Sequence, residues 1–148
     1  MKIELDAMDA KILDILQADA RTTLAGIGRR IHMSQPAVAE RVKRMENAGI
    51  IAGYHARINP AALGYGITAF IRVARRAHDT PVEAVAAQLP EIIECHSITG
   101  DDCSILKVVA ASVAELEKVI VELARCGVTS TSLILSSHIE RKPIKPVA

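Results

Sequence analysis

Basic side chains that can bind phosphate are concentrated in one segment of the sequence. Seven basic and only two acidic residues lie between positions 20 and 57, although the whole chain has a formal net charge of +1. Three of the basic residues, Arg41, Lys43 and Arg44, fall within the run SQPAVAERVKRMEN. Such clusters are typical of surfaces that neutralise the phosphates of nucleic acids, and also of helix faces that are merely solvated. The element that carries the three cations decides between these interpretations.

The run from about residue 34 to residue 47 is predicted to be a helix. Ser34 is a suitable N-cap, and Gly49 follows the last turn as a terminator. At about 100° per residue, Val38, Val42 and Met45 fall on one face, which must pack on a core. The remaining surface carries small, polar and basic residues: Ser34, Gln35, Pro36, Ala37, Glu40, Arg41, Lys43 and Arg44.

Two further helices precede this one. The first begins at Asp6 with apolar residues at helical spacing, and the second runs over about 24–31 and ends with Arg29 and Arg30. Three helices, a short turn before the third and a polar, basic outer face match a helix-turn-helix, whose last helix lies in the major groove of duplex DNA. We therefore predict that double-stranded DNA contacts Arg29, Arg30 and the outer face of the third helix.

The second half of the chain predicts an α+β fold. Strands are expected over 67–73, 91–99, 104–110 and 128–138, with helices over 80–89 and 113–125. Capping boxes, Thr80 with Glu83 and Ser112 with Glu115, open the two helices. The order βαββαβ is that of a ferredoxin-like sheet. The predicted organisation is a helix-turn-helix domain over 1–52, a hairpin or linker over 53–65, the βαββαβ domain over 66–141 and a loose tail over 142–148.

Several function classes are poorly supported by the composition. Only three residues are aromatic, which disfavours binding of single strands by base stacking. Cys95, Cys103 and Cys126 lack the spacing of a zinc site, and their odd number argues against a disulfide framework. No catalytic constellation is recognisable, so we expect no enzyme activity and no metal or cofactor. No apolar run approaches the length of a membrane span, which indicates a cytoplasmic protein.

The motifs resemble one family throughout most of the chain. LDAMDAKILDILQADARTTLAGI and MSQPAVAERVKRMENAGIIAGYHARINPAALG look like the N-terminal half of Lrp/AsnC (feast/famine) transcription regulators, and LPEIIECHSITGDDCSILKVV resembles their regulatory domain. The resemblance implies a winged or hairpin-flanked helix-turn-helix joined to a βαββαβ domain that dimerises. It also implies octamers of four dimers, amino-acid effectors at interfaces between domains, and a nucleoid-associated protein of bacterial or archaeal type.

The resemblance places an effector site at the turn after the second strand. Thr99, Gly100 and Asp101 match the family's Gly-Asp-x-Asp turn, whereas Cys103 and Ser104 replace its second acidic and its aromatic position. Carboxylates can accept from an effector's ammonium, and N–H groups of a glycine turn can bind its carboxylate. The predicted effector residues are Thr99, Gly100, Asp101, Asp102, Cys103 and Ser104, with Thr131 and Ser132 on the last strand. The alternative is a plain polar β-turn.

Two other functions stay open on the sequence. One is a small-molecule sensor whose basic helix binds a protein. The other is an architectural DNA binder of low sequence specificity, which would make the same contacts and differ in its specificity ratio.

Overall fold

The chain folds into two compact units. The computed structural model describes residues 4–74 and 80–147, so the outer edges of the predicted first domain and tail, residues 1–3 and 148, lie outside the described residues. The first unit runs to Arg57 and resumes at Ile139, and the second unit covers Ile58–His138.

Three helices form the first unit: α1 (Ala7–Ala18), α2 (Leu24–Ile31) and α3 (Gln35–Asn47). Each helix has an N-cap residue whose side chain accepts a hydrogen bond from a backbone N–H of the first turn. The N-caps are Asp6 for α1, Thr23 for α2 and Ser34 for α3. The predicted inner face of α3 is confirmed, because its three apolar residues are buried. They share a core with residues of the other two helices: Ile12, Ile27, Ile31, Val38, Val42 and Met45.

The segment between the two units is a connector. Gly49 ends α3 in the left-handed region with φ +70°, as a helix terminator should. The sequence left open a hairpin or a linker over 53–65, and no strand occurs in this part of the described chain. Its only regular element is a 3₁₀ turn over Pro60–Leu63, which Asn59 caps.

The second unit has the predicted βαββαβ order. Its elements are β1 (Ile67–Ala74), α4 (Val82–Ala86), β2 (Ile92–Ser97), β3 (Ser104–Ala110), α5 (Val113–Leu123) and β4 (Val128–Leu133). The four strands pair antiparallel in the order β2-β3-β1-β4. One face of the sheet packs against the two helices, and the buried core contains Ile71, Leu106, Leu116 and Leu123.

Three predicted elements are too long, among them the strand predicted over 91–99, which covers only Ile92–Ser97, and one capping box is absent. The helix predicted over 80–89 covers only Val82–Ala86, and its N-cap is Pro81, which has no side-chain oxygen to accept a hydrogen bond. The Thr80–Glu83 box is therefore wrong. The last strand ends at Leu133 rather than near His138, because Leu133 pairs with Ala69 and its partner strand begins only two residues earlier.

The second capping box is only half formed. Ser112 Oγ accepts from the Glu115 N–H at 3.2 Å, as predicted. The Glu115 carboxylate instead accepts from the N–H of Ala111, at 2.9 Å, one residue before the cap.

The C-terminal tail contacts α1. The side-chain amide of Gln17 donates to the Ile144 carbonyl at 2.9 Å and accepts from the Ile144 N–H at 2.8 Å. Lys145 Nζ lies 3.3 Å from a carboxylate oxygen of Asp14. These contacts attach residues after the second unit to the first helix of the chain.

Candidate nucleic-acid interface and effector turn

The turn between α2 and α3 is tight because a glycine lies beneath it. Gly28 is buried, and a Cβ added there would lie 2.4 Å from the Met33 carbonyl oxygen. His32 ends α2 in the left-handed region with φ +58°. Ser34 then begins α3 by accepting from the Ala37 N–H. Sequence reasoning missed this role of Gly28, because a contact across the turn leaves no local signal in the sequence.

The outer face of α3 is open to solvent. Its exposed residues are Gln35, Pro36, Glu40, Lys43 and Arg44, and the flanking residues Ala37 and Arg41 are half-buried. Ser34 is exposed at the start of the helix. The predicted interface residues on α3 therefore share one surface, with Arg41 and Arg44 on the side toward α1.

Arg41 and Arg44 bind carboxylates of α1. Arg41 Nη1 lies 2.6 Å from Asp6 Oδ2 and 2.9 Å from Asp9 Oδ1, and Arg44 Nη2 lies 2.6 Å from Asp9 Oδ2. Asp9 is fully buried, whereas the Arg41 and Arg44 side chains are 26% and 46% exposed. These two cations, predicted from the sequence to contact DNA, therefore have partners within the domain.

The hydrogen bonds around this cluster shift two pKa values. The backbone N–H of Asp9 and the Arg41 guanidinium stabilise the charged carboxylate of Asp6 and lower its pKa from 3.8 to about 2. The hydrogen bonds to Asp6 and Asp9 raise the pKa of Arg41. Asp6 is also the N-cap of α1, and the Asp9 side chain accepts from the Asp6 N–H, which completes a capping box.

Arg29, Arg30 and Lys43 differ from these two arginines. All three are exposed. Within residues 4–74 and 80–147, no carboxylate lies within ion-pair distance of any of them. Their charges are available to a partner of α2 and α3.

Tyr54 lies against α3 beside Glu46. Its hydroxyl donates to Glu46 Oε1 at 2.9 Å. Burial and the neighbouring Glu46 carboxylate raise the pKa of Tyr54 to about 12. Tyr54, Glu46 and Lys43 line a groove of about 530 Å³.

The predicted effector turn is formed, and most of it is accessible. Thr99, Gly100 and Asp101 are exposed, and Gly100 has φ +115°. Asp102 Oδ2 faces Arg72 Nε of β1 at 3.7 Å. Arg72 is not linked to this turn by any local sequence pattern, because only the pairing of β1 with β3 brings it close.

The other predicted effector residues lie farther from solvent or from the turn. The N–H and Sγ of Cys103 both donate to the Val73 carbonyl, at 2.9 and 3.2 Å, and Ser104 is buried opposite Val73. Thr131 and Ser132 are on the edge strand β4, which β1 separates from β3. Two strand spacings amount to about 10 Å, so one subunit does not bring these two residues to the turn.

No group of three or more His, Cys, Asp or Glu side chains in the described part of the chain could hold a metal ion. No helix there is long and apolar enough to cross a bilayer.

Family models match both units. The model of the AsnC-type helix-turn-helix domain matches residues 5–46, and that of the Lrp/AsnC ligand binding domain matches residues 68–144. The chain belongs to the Lrp/AsnC family. The first Lrp/AsnC match includes the whole turn between α2 and α3, and the second includes the turn at Gly100.

Individual Lrp/AsnC proteins agree over most of the chain. The leucine-responsive regulatory protein of Rhizobium meliloti is 36% identical over 126 residues, 82% of this chain and 81% of the relative. The structure of Bacillus subtilis LrpC has a TM-score of 0.88 at 29% identity, covering 94% of this chain and all of LrpC. A feast or famine regulatory protein of Mycobacterium tuberculosis, solved in complex with L-methionine, has a TM-score of 0.87 at 31% identity, covering 97% of this chain and all of that protein.

The protein is thus a helix-turn-helix transcription regulator of the Lrp/AsnC type. Its α+β fold, predicted from the sequence, agrees with the solved structures of the family.

Proposed function

We propose that α3 binds the major groove of duplex DNA and that Arg29, Arg30 and Lys43 supply the main phosphate contacts. The observation that carries this assignment is that all three cations are exposed and, among the described residues, have no carboxylate partner. Gln35, Pro36 and Glu40 share the open face, where the side chains of Gln35 and Glu40 can meet base edges. The start of α3, with the N–H of Gln35 and the small residues Ser34 and Ala37, can approach a phosphate.

A Lys43→Ala substitution should test this proposal through the salt dependence of binding. If Lys43 neutralises one phosphate, the slope of log Kd against log salt should fall by roughly one unit, and the affinity should drop similarly for all sequences. Fluorescence anisotropy with labelled genomic duplexes at several salt concentrations measures both quantities. Lys118→Ala, an exposed lysine on α5, is the matched control.

The same experiment separates the alternatives. Equal affinity for unrelated duplexes would favour the architectural binder of low specificity. No salt-sensitive binding of the wild-type protein to any duplex would contradict the proposal and favour the sensor with a protein-binding helix.

We also propose that the turn from Thr99 to Ser104 binds an amino-acid effector. Asp101 is exposed and the Gly100 turn offers backbone N–H groups, so the two ends of a zwitterion can be bound there. The Mycobacterium tuberculosis relative bound to L-methionine and a Neisseria meningitidis regulator solved with L-Met support an effector of this class. Asp102, Cys103, Ser104, Thr131 and Ser132 stay predictions for this site.

An Asp101→Asn substitution should weaken effector binding by removing an acceptor charge for the ammonium group. Titration calorimetry with L-methionine as the first probe, then with the other amino acids, measures the dissociation constant. Asp19→Asn, an exposed carboxylate in the first unit, is the control. If Asp101→Asn bound the effector as tightly as the wild-type protein, the effector site would not be at this turn.

The proposed assembly is a homodimer that associates further into an octamer of four dimers. The register of β1 and β3 places Phe70 and Ile105 on the sheet face opposite Ile71 and Leu106, so this face has apolar side chains that α4 and α5 do not cover. A second copy can bury them. Sedimentation equilibrium of the full chain distinguishes monomer, dimer and octamer by mass.

The proposed partners are duplex DNA, an amino-acid effector and further copies of the chain. We propose that the protein acts by binding them and has no enzyme activity. Location in the cytoplasm and on the nucleoid follows from the proposed DNA binding, and fluorescence microscopy of a fusion protein would test it.

A further inference from the structure

Asp9 is an unusual residue for a small helical core. It is fully buried, and a carboxylate keeps its charge in such a place only if it has strong partners. Each of its oxygens has a guanidinium: Oδ1 binds Arg41 and Oδ2 binds Arg44. Oδ2 also accepts from the Asp6 N–H at 3.1 Å.

The two guanidiniums restrict α3 in a way that its apolar contacts do not. Arg41 and Arg44 are three residues apart on the flank that faces α1, whereas Val38, Val42 and Met45 make non-directional contacts with the core. Charged hydrogen bonds depend on distance and angle. Two of them to one buried carboxylate therefore oppose both rotation and sliding of α3 against α1.

We propose that Asp9 is a positioning residue that sets the rotation of α3 through Arg41 and Arg44, and so selects which α3 side chains face DNA. This inference rests on the proposed DNA-binding function. Arg41 and Arg44 then act on DNA affinity through geometry, not as phosphate contacts.

The charges of the cluster agree with this role. Asp6 and Asp9 face Arg41 and Arg44, so two negative charges offset two positive charges at contact distance. A cation neutralised in this way releases few counterions from DNA. The salt dependence of binding is therefore assigned to Lys43, Arg29 and Arg30.

An Asp9→Asn substitution tests the proposal because electrostatics and positioning predict opposite results. Removing a negative charge from a DNA-binding domain should strengthen binding if charge alone matters. If Asp9 positions α3, the folded variant should bind specific duplex at least about fivefold more weakly, the lower end of what one misplaced base contact costs, with an unchanged salt slope. Asp14→Asn removes the same charge from the same helix without touching α3 and should not weaken binding.

The readouts separate positioning from mere stability. Circular dichroism at the assay temperature shows whether Asp9→Asn is folded, and anisotropy then measures affinity and slope for the folded protein. Folded Asp9→Asn that binds as well as wild type, or better, overturns the proposal.

Arg44→Ala provides a second variant, in which Asp9 keeps its partner Arg41, and circular dichroism again shows whether it is folded. Weaker binding with an unchanged slope supports positioning, and a slope reduced by about one unit would make Arg44 a phosphate contact and overturn it.

Failure of the proposed function gives a different result, because wild-type protein would then show no salt-sensitive binding. In that case the crystal structure of Asp9→Asn decides the inference without DNA. Rotation of α3 relative to α1 supports it, and an unchanged helix orientation overturns it.

Discussion

Asp6 performs two tasks with one carboxylate: it caps α1 and binds Arg41. Its pKa of about 2 in the folded protein lies below the ordinary value of 3.8, so the folded state binds this proton less tightly than the unfolded chain does. The stability that Asp6 provides is therefore complete above the unfolded value and is lost as the pH falls toward about 2.

An Asp6→Asn substitution should flatten the pH dependence of stability between these two values. Asn still caps a helix but has no charge to lose on acidification. Urea unfolding of both proteins across this pH range, followed by circular dichroism, measures the difference. Asp101→Asn, in the second unit, should keep the wild-type dependence of the unfolding free energy on pH. If Asp6→Asn also kept the wild-type dependence, the role of the Asp6 charge would be contradicted.

At the scale of elements, the turn between α2 and α3 depends on Gly28. Gly→Ala inside a helix normally stabilises by about 1 kcal/mol. At Gly28 the added Cβ meets the Met33 carbonyl at 2.4 Å, which forces the backbone to move. We expect Gly28→Ala to destabilise the first unit by roughly 1–3 kcal/mol, as overpacking does.

Gly26→Ala in the same helix is the matched comparison. Its Cβ would meet the Thr23 hydroxyl at 3.1 Å, a side-chain atom that can shift. Urea unfolding should show a much smaller loss for Gly26→Ala than for Gly28→Ala. Equal losses would mean that helix α2, not the turn, is sensitive to the added methyl group.

The sequence predicts elements whose pattern is local. The spacing of Val38, Val42 and Met45 correctly gave the inner face of α3, and the strand pattern gave the βαββαβ order. The pairing of Asp9 with Arg44 is different, because these residues are 35 positions apart and nothing local links them. Asp9 does share helical spacing with Ile12, Leu13 and Leu16, and a carboxylate in an apolar stripe is a signal that it has a cation partner.

The ends of elements were predicted less well than their order, for the same reason. The last strand stops at Leu133, two residues short of the end of its partner β1, and the N-cap of α4 is Pro81, one residue after the predicted Thr80. Both limits depend on neighbours in the fold. The contact of Asp102 with Arg72 likewise requires β1 and β3 to be paired in their actual register.

At the scale of the whole molecule, the chain passes between its two units twice. The first unit contains the segment up to Arg57 and the segment from Ile139, and the second unit is inserted between them. Gln17 and Asp14 bind the returning tail at Ile144 and Lys145. The stability of the first unit therefore includes contacts made by residues that follow the second unit in the chain.

The tyrosines give each unit its own optical signal. The chain has no tryptophan and two tyrosines, and Tyr54 belongs to the first unit while Tyr65 belongs to the second. No tryptophan emission therefore hides that of the tyrosines. In a Tyr65→Phe protein the remaining tyrosine fluorescence comes from Tyr54, beside Glu46 on α3. In a Tyr54→Phe protein it comes from Tyr65 in the second unit. The two substitutions thus give two proteins with label-free fluorescence signals, one that reports on α3 and one that reports on the second unit.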